Sequence, residues 1–349
     1  MASASEASEA PRPSRASTAP VPPRTAPGAP AAPGATSDPI AAAPGDLGGG
    51  VEPGSGQGSP SRWPASWPDR IRALARGDLE PVPPRRAATV MLLRDSPAGP
   101  VVHLLRRRAS MAFAAGAYAY PGGSVDPRDE HPHLRWAGPD ADWWARRLGC
   151  GPRVAQAVVC AAVRETFEES GVLLAGPDAD SVVADTTGDD WEADRAALVA
   201  HELPFAEVLA RRGLVLRSDL LGAWARWITP EFEERRYDTW FFVCALPSGQ
   251  RARDVSGEAD RTVWLSPAEA VARYDAGEFS MLPPTVSTLR QLAGHRSARA
   301  VLDAAGGQDM APVLATARIE ADRVVLTWPG HDEFTEAVPF SGPVPGAGR

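Results

Sequence analysis

The stretch RVAQAVVCAAVRETFEESGV, residues 153–172, decides the fold. Pro152 before it suits a first helical turn and Gly171 suits a helix end, so the spacing predicts one helix from about Pro152 to Gly171. At about 100° per residue, Glu165, Glu168 and Glu169 share one arc of helix surface. Val159, Val163 and Phe167 lie on the other side and can pack onto a sheet. Three carboxylates on one face repel each other unless something positive sits between them. Arg164 can neutralise one. A divalent cation can neutralise the others, and an all-oxygen donor set suits Mg²⁺ or Mn²⁺. A solvated acidic face is the commoner fate of such a run. Against that reading, these acids sit in the last turn, where the helix dipole disfavours negative charge.

Working outward, Pro121-Gly122-Gly123 follows a strand, and paired glycines there allow close backbone approach. AATVMLLRD (87–95) and PVVHLLRRR (100–108) are apolar and β-rich, with SPAG (96–99) as the turn of a hairpin. Ile71 and Leu74 suggest a short helix before the prolines at 81–84. A polar, tryptophan-containing segment at about 130–150 has no clean period, though DADWWARRLG within it reads as a short helix. The pair Trp143 and Trp144 reads better as packing for this segment than as a pocket lining.

Downstream, VLLAG (172–176), LLGAWARWITP (220–230), RYDTWFFVCALP (236–247) and RTVWL (261–265) read as strands. HELPFAEVLARRG (201–213), a helix capped by Ser266, PPTVSTLRQLAG and SARAVLDAAGG read as helices. PVLATARIEADRVVLTWPG reads as a hairpin with the turn EAD. Strands and helices alternate irregularly, which predicts an α/β sandwich rather than a regular doubly wound sheet.

The chain has 349 residues, and composition divides it. Residues 1–60 hold 14 Ala, 12 Pro, 9 Gly and 8 Ser and no aromatic residue, too little apolar surface to offset chain entropy. We expect a disordered arm over 1–67 and a flexible tail over 338–349. All 36 basic residues are Arg, and the net charge of −8 argues against a nucleic-acid partner. Cys150, Cys160 and Cys244 show no pairing pattern, which suggests reduced thiols and a cytoplasmic location. MASASEASEA lacks a basic start followed by an apolar run, and no apolar stretch reaches spanning length, so neither a secretory signal nor a membrane partner is expected. His103, His131, His133, His201, His295 and His331 show no metal-ligand spacing.

Together, GGSVDPRD (122–129) and RETFEESGV (164–172) resemble the two halves of the Nudix box. In that box a glycine is followed, after five residues, by Glu, then seven residues, then Arg-Glu-apolar-x-Glu-Glu-x-Gly-apolar. Gly123, Arg164, Glu165, Glu168, Glu169, Gly171 and Val172 fit it. Three departures stand out. The seven-residue gap is replaced by 34 residues (130–163), an insertion of 27; Asp129 stands in place of the first Glu; Thr166 stands in place of an apolar residue. The split box, with ITPEFEERRYDTWFFVC (228–244), is similar to the Nudix branch that acts on coenzyme A and its thioesters.

The resemblance implies a Nudix-type α/β/α sandwich with a mixed sheet over 86–295, an insertion at about 130–151, and a C-terminal helix and hairpin over 296–337. It implies metal-dependent hydrolysis of a nucleoside diphosphate linked to another group, here coenzyme A or acyl-CoA. Glu168 and Glu169 would be metal ligands for Mg²⁺ or Mn²⁺, and Glu165 a third ligand or the group that orients the water. Arg164 would pair with a carboxylate of the helix or glycine loop. Gly122 and Gly123 would bring backbone amides to metal or phosphate. Glu258 matches a downstream family Glu as base or extra ligand, with Glu231, Glu233 and Glu234 as rivals. Arg235 and Arg236 are candidates for phosphate, Arg236 foremost. A small-molecule diphosphate is the expected partner, and a homodimer is left open because many Nudix proteins dimerise. The alternative is a Nudix-like sensor that binds a nucleotide or ADP-ribose without cleaving it; the intact Glu168 and Glu169 speak against it. A third reading, an interaction protein working through PVPPR (20–24), rests on composition that is usually linker.

Overall fold

The structure, a computed structural model, describes residues 66–339 apart from 112–113, 132, 256 and 321–322. Nearly all of the expected N-terminal arm and C-terminal tail lies outside the described residues.

The first helix, α1 (Trp67–Arg76), turns Trp67 and Ile71 inward and ends at Gly77, whose φ of 79° suits glycine. β1 (Arg85–Ser96) and β2 (Gly99–Arg107) form the expected antiparallel hairpin. Beyond it the two strands splay. β3 (Tyr118–Ala119) pairs with the end of β2, and β4 (Gly122–Ser124) pairs with the start of β1. A 3₁₀ turn over Pro127–Glu130 and a short β5 (Trp136–Ala137) lead into the insertion helix α2 (Ala141–Leu148).

The long helix α3 (Pro152–Ser170) has the predicted ends: Pro152 is in its first turn, and Gly171 caps it at φ 71°. It is buried almost all round from Ala155 onward rather than along one stripe. The insertion explains this. Trp144 packs edge-on against Phe242, with ring centroids 5.8 Å apart, and joins α3 in one apolar core with Ala145 and Leu148.

Next come β6 (Ala175–Gly176), α4 (Asp189–Val199), α5 (Phe205–Arg211) and β7 (Val215–Arg217). Two details differ from expectation. In VLLAG only the last two residues pair as a strand, because Gln250 bonds both backbone groups of Leu173, at 2.8 Å each. The helix expected over 201–213 is confined to α5, and His201, at φ 57°, marks the break from α4.

β8 (Gly222–Ile228) pairs antiparallel with β9 (Tyr237–Ala245), and β9 lies parallel to β1. β10 (Ala259–Leu265) flanks β2. Ser266 accepts from the backbone N–H of Glu269 and starts α6 (Pro267–Asp275). After α7 (Pro283–Leu292) and α8 (Ala298–Ala305), β11 (Pro312–Leu314) joins the sheet parallel to β8. The main sheet therefore runs β10-β2-β1-β9-β8-β11 and is mixed. The C-terminal hairpin, β12 (Thr316–Glu320) and β13 (Arg323–Thr327), gains a third strand in β14 (Glu336–Pro339).

Alternation along β1 builds two cores. Ala88, Val90 and Leu92 face α3, while Met91 and Leu93 face a second core that includes Val286 and Leu289 of α7 and Val301 of α8. The result is an α/β/α sandwich. No helix among the described residues is long and apolar enough to cross a membrane. All three cysteines are free thiols.

Candidate active site

The glycine loop and the acidic end of α3 meet despite the insertion between them. The N–H of Gly122 donates to Glu169 Oε2 at 2.8 Å. A Cβ on Gly123 would lie 2.5 Å from Glu165 Oε1, and one on Gly122 would lie 2.5 Å from the Ala88 carbonyl. Gly122 therefore needs glycine, because the clash there is with backbone, whereas a Cβ at Gly123 would push aside the Glu165 carboxylate.

Arg164 holds the site together. Its Nε and Nη2 donate to the two Asp129 oxygens at 3.0 Å each, a bidentate pair. Nη1 donates to Glu165 at 2.8 Å and to Glu168 at 3.2 and 3.3 Å. Nη2 also reaches the Ser124 carbonyl at 2.9 Å. Asp129 is placed by the turn that carries it, since it accepts from the Asp126 N–H at 2.8 Å while Asp126 accepts from Arg128 N. In the sequence Asp129 stands out only as a substitution in the box; the D-P-x-D capping box is the local signal for its placement.

The charge balance is unusual for buried groups. One guanidinium faces Asp129, Glu165 and Glu168, with Glu169 beside them. Burial lifts the Glu165 pKa to about 7 against the pull of Arg164. Burial also raises Glu168. Glu169 is raised well above the usual carboxylate range, by burial and then by repulsion from Glu165 and Glu258. Burial works against the charge of Arg164, but Glu165 and Asp129 outweigh it and raise its pKa.

Among the described residues, no three His, Cys, Asp or Glu side chains come together as a ready metal site. The reason is local: Nη1 of Arg164 bonds both Glu165 and Glu168, and Glu169 accepts from Gly122. The donors still suit a hard divalent cation. They are all oxygen, buried, in excess of the local positive charge, and next to a loop without Cβ atoms.

Glu258 is brought to the same place. It and Glu169 line a cavity of about 10 Å³, roughly room for one water, together with Arg107, Ala119 and Tyr120. Arg107 Nη2 lies 3.9 Å from Glu258 Oε2. Of the rivals, Glu231 and Glu234 are exposed, and Glu233 lines a neighbouring cleft beside Trp67. Arg235 is exposed.

Arg236 corrects the sequence reading. It is buried, and it donates to the carbonyls of Thr229 at 3.0 Å and Val82 at 2.8 Å, so it braces backbone instead of facing substrate. The arginine that does line the site is Arg107, which lies in a basic run at the end of β2.

The chain also resembles known proteins over much of its length. Residues 151–292 match the family model described as the NUDT19 Nudix domain. A crystal structure of a NUDIX hydrolase from Alicyclobacillus acidocaldarius superposes with a TM-score of 0.55 at 26% identity, covering 66% of this chain and 99% of that one. The chain is similar to members of the Nudix family. Within it, the similarity is to proteins named acyl-coenzyme A diphosphatase NUDT19. The Gallus gallus protein is 28% identical over 74% of this chain and 82% of its own length. The Xenopus laevis protein is 25% identical over 69% and 73%.

Proposed function

We propose that the chain hydrolyses the diphosphate of a nucleoside diphosphate linked to another group, with coenzyme A and its thioesters as the substrate class. The relatives named as acyl-coenzyme A diphosphatases support that class. The observation that carries the reading is the junction of Gly122 with Glu169, which brings the two halves of the split box together at 2.8 Å.

Water attacks one phosphorus, the bridging P–O bond breaks, and two phosphomonoesters leave. Glu168 and Glu169, with Glu165, would hold Mg²⁺ or Mn²⁺, which when bound screens the phosphate charge and lowers the pKa of water. Glu258 is assigned as proton acceptor. It faces the water-sized cavity and is 61% exposed, so it can pass the proton to solvent. Arg107 sits beside Glu258 and supplies positive charge for the phosphates. Arg164 and Asp129 orient the helix end and touch no reacting atom.

The test is a panel of coenzyme A, acyl-CoA, NAD(H), ADP-ribose and nucleoside triphosphates with Mg²⁺ or Mn²⁺. Coenzyme A or its thioesters should be cleaved with the highest kcat/KM. A higher value on nucleoside triphosphates would overturn the proposed class.

A further inference from the structure

On the sheet face away from α3 lies a cleft of about 240 Å³. Arg107, Ala119 and Tyr120 wall both this cleft and the small cavity beside Glu169 and Glu258, so the cleft opens from the candidate active site. Its other end is formed by Trp67, Trp227 and Trp328. Trp67 comes from α1 and Trp328 follows β13, both outside the segment that matches the family model.

Register fixes the length of the path. Ser124 pairs with Ala87, Ala87 with Thr239, and Thr239 with Trp227, one row across β4, β1, β9 and β8. Three strand spacings put the backbone of Trp227 roughly 14 Å from that of Ser124. The pantetheine arm, on the far side of the diphosphate from the base, is long enough to span that distance.

The lining is mixed: Trp67, Trp227, Trp328, Phe241 and Leu282 give it apolar walls, and Thr89, Thr229, Tyr237, Thr239 and Thr285 add hydroxyls. Its charged residues are Arg107, at the phosphate end, and Glu233, whose carboxyl is raised by burial beside Trp67. A nucleobase site needs donors and acceptors aimed at the base edge, whereas an alkyl chain needs only apolar walls. Leu282 adds an independent sign. It lines the cleft, is 38% exposed, and occupies the N-cap of α7 without capping it. Helix stability favours Ser, Thr, Asp or Asn there, so a different requirement sets this leucine.

We infer that the indole end of the cleft receives the acyl chain at the end of the pantetheine arm, and that Trp67, Trp328 and Leu282 set the preference for acylated over free coenzyme A. The inference rests on the substrate class proposed above.

The test compares kcat/KM for octanoyl-CoA and free coenzyme A in the full chain, Leu282→Asp and Trp328→Ala. Asp is a favoured N-cap, so Leu282→Asp is expected to fold even if Trp328→Ala does not. The octanoyl-CoA to coenzyme A ratio should fall at least tenfold in each folded variant; an unchanged ratio in Leu282→Asp overturns the inference. Octanoyl-pantetheine, which has no diphosphate, is titrated in parallel by tryptophan fluorescence, and its Kd should rise at least tenfold in Leu282→Asp. Binding by a protein that cleaves no coenzyme A would keep the acyl site and remove the substrate class. Turnover without such binding, or displacement of octanoyl-pantetheine by AMP, would remove the acyl site and keep the hydrolase.

Discussion

Arg164 and Asp129, 35 residues apart in the chain, are joined by two hydrogen bonds of 3.0 Å between buried side chains. That pair closes the split box. It carries the helix end to the glycine loop across the insertion, and it leaves Nη1 of Arg164 on Glu165 and Glu168.

Removing one partner of a buried pair leaves the other uncompensated, at about 3–5 kcal/mol. Asp129→Ala should therefore lose about 3 kcal/mol in urea unfolding, and at least tenfold in kcat as Arg164 loses its orientation. Unchanged stability would mean that the pair is not holding the box.

Gly123→Ala tests the close approach of loop and helix. The new methyl would stand 2.5 Å from Glu165 Oε1. The carboxylate of Glu165 would have to move away from Arg164 to make room. Turnover should fall at least tenfold while the circular-dichroism spectrum stays native.

Arg107 and Arg236 should separate cleanly in kinetics. Arg236→Ala removes donors to two backbone carbonyls and should lower stability by about 1–3 kcal/mol with KM unchanged. Arg107→Ala should raise KM about tenfold, a loss of roughly 1.4 kcal/mol in binding. The reverse assignment of the two effects would restore Arg236 as the phosphate contact.

His103 predicts an acid-side loss of stability. Burial, with Arg94 nearby, lowers its pKa to about 4 in the fold, against 6.5 for the exposed group. Between those two values the unfolded chain binds more protons, so stability rises with pH and is lost as pH falls from about 6.5 toward 4. The full window is worth roughly 3 kcal/mol. In His103→Leu the difference in unfolding free energy between pH 7.5 and pH 4.5 should shrink by roughly 2 kcal/mol.

What was legible in the sequence was local. Pro152 and Gly171 bound α3, Glu165, Glu168 and Glu169 stand out in its last turn, and Gly122 and Gly123 mark a close approach. Each signal lies within a few residues of the feature it specifies. Asp129 was visible, but its partner is settled only by how residues 130–163 fold. Arg236 reads as an exposed cation because it follows Arg235 in a charged turn, and only tertiary structure puts Val82 and Thr229 carbonyls against it. Trp67, Trp227 and Trp328 form one wall from three distant segments, which no local pattern encodes.

The most direct measurement of the central claim is Mg²⁺- or Mn²⁺-dependent release of two phosphomonoesters from octanoyl-CoA by the full chain, Glu168→Gln and Glu169→Gln. Turnover should appear in the full chain, be lost with EDTA, and be at least 100-fold lower in both variants, the equivalent of about 2.7 kcal/mol in the barrier, with unfolding midpoints that show both still fold. Turnover undiminished in the folded variants would contradict that claim.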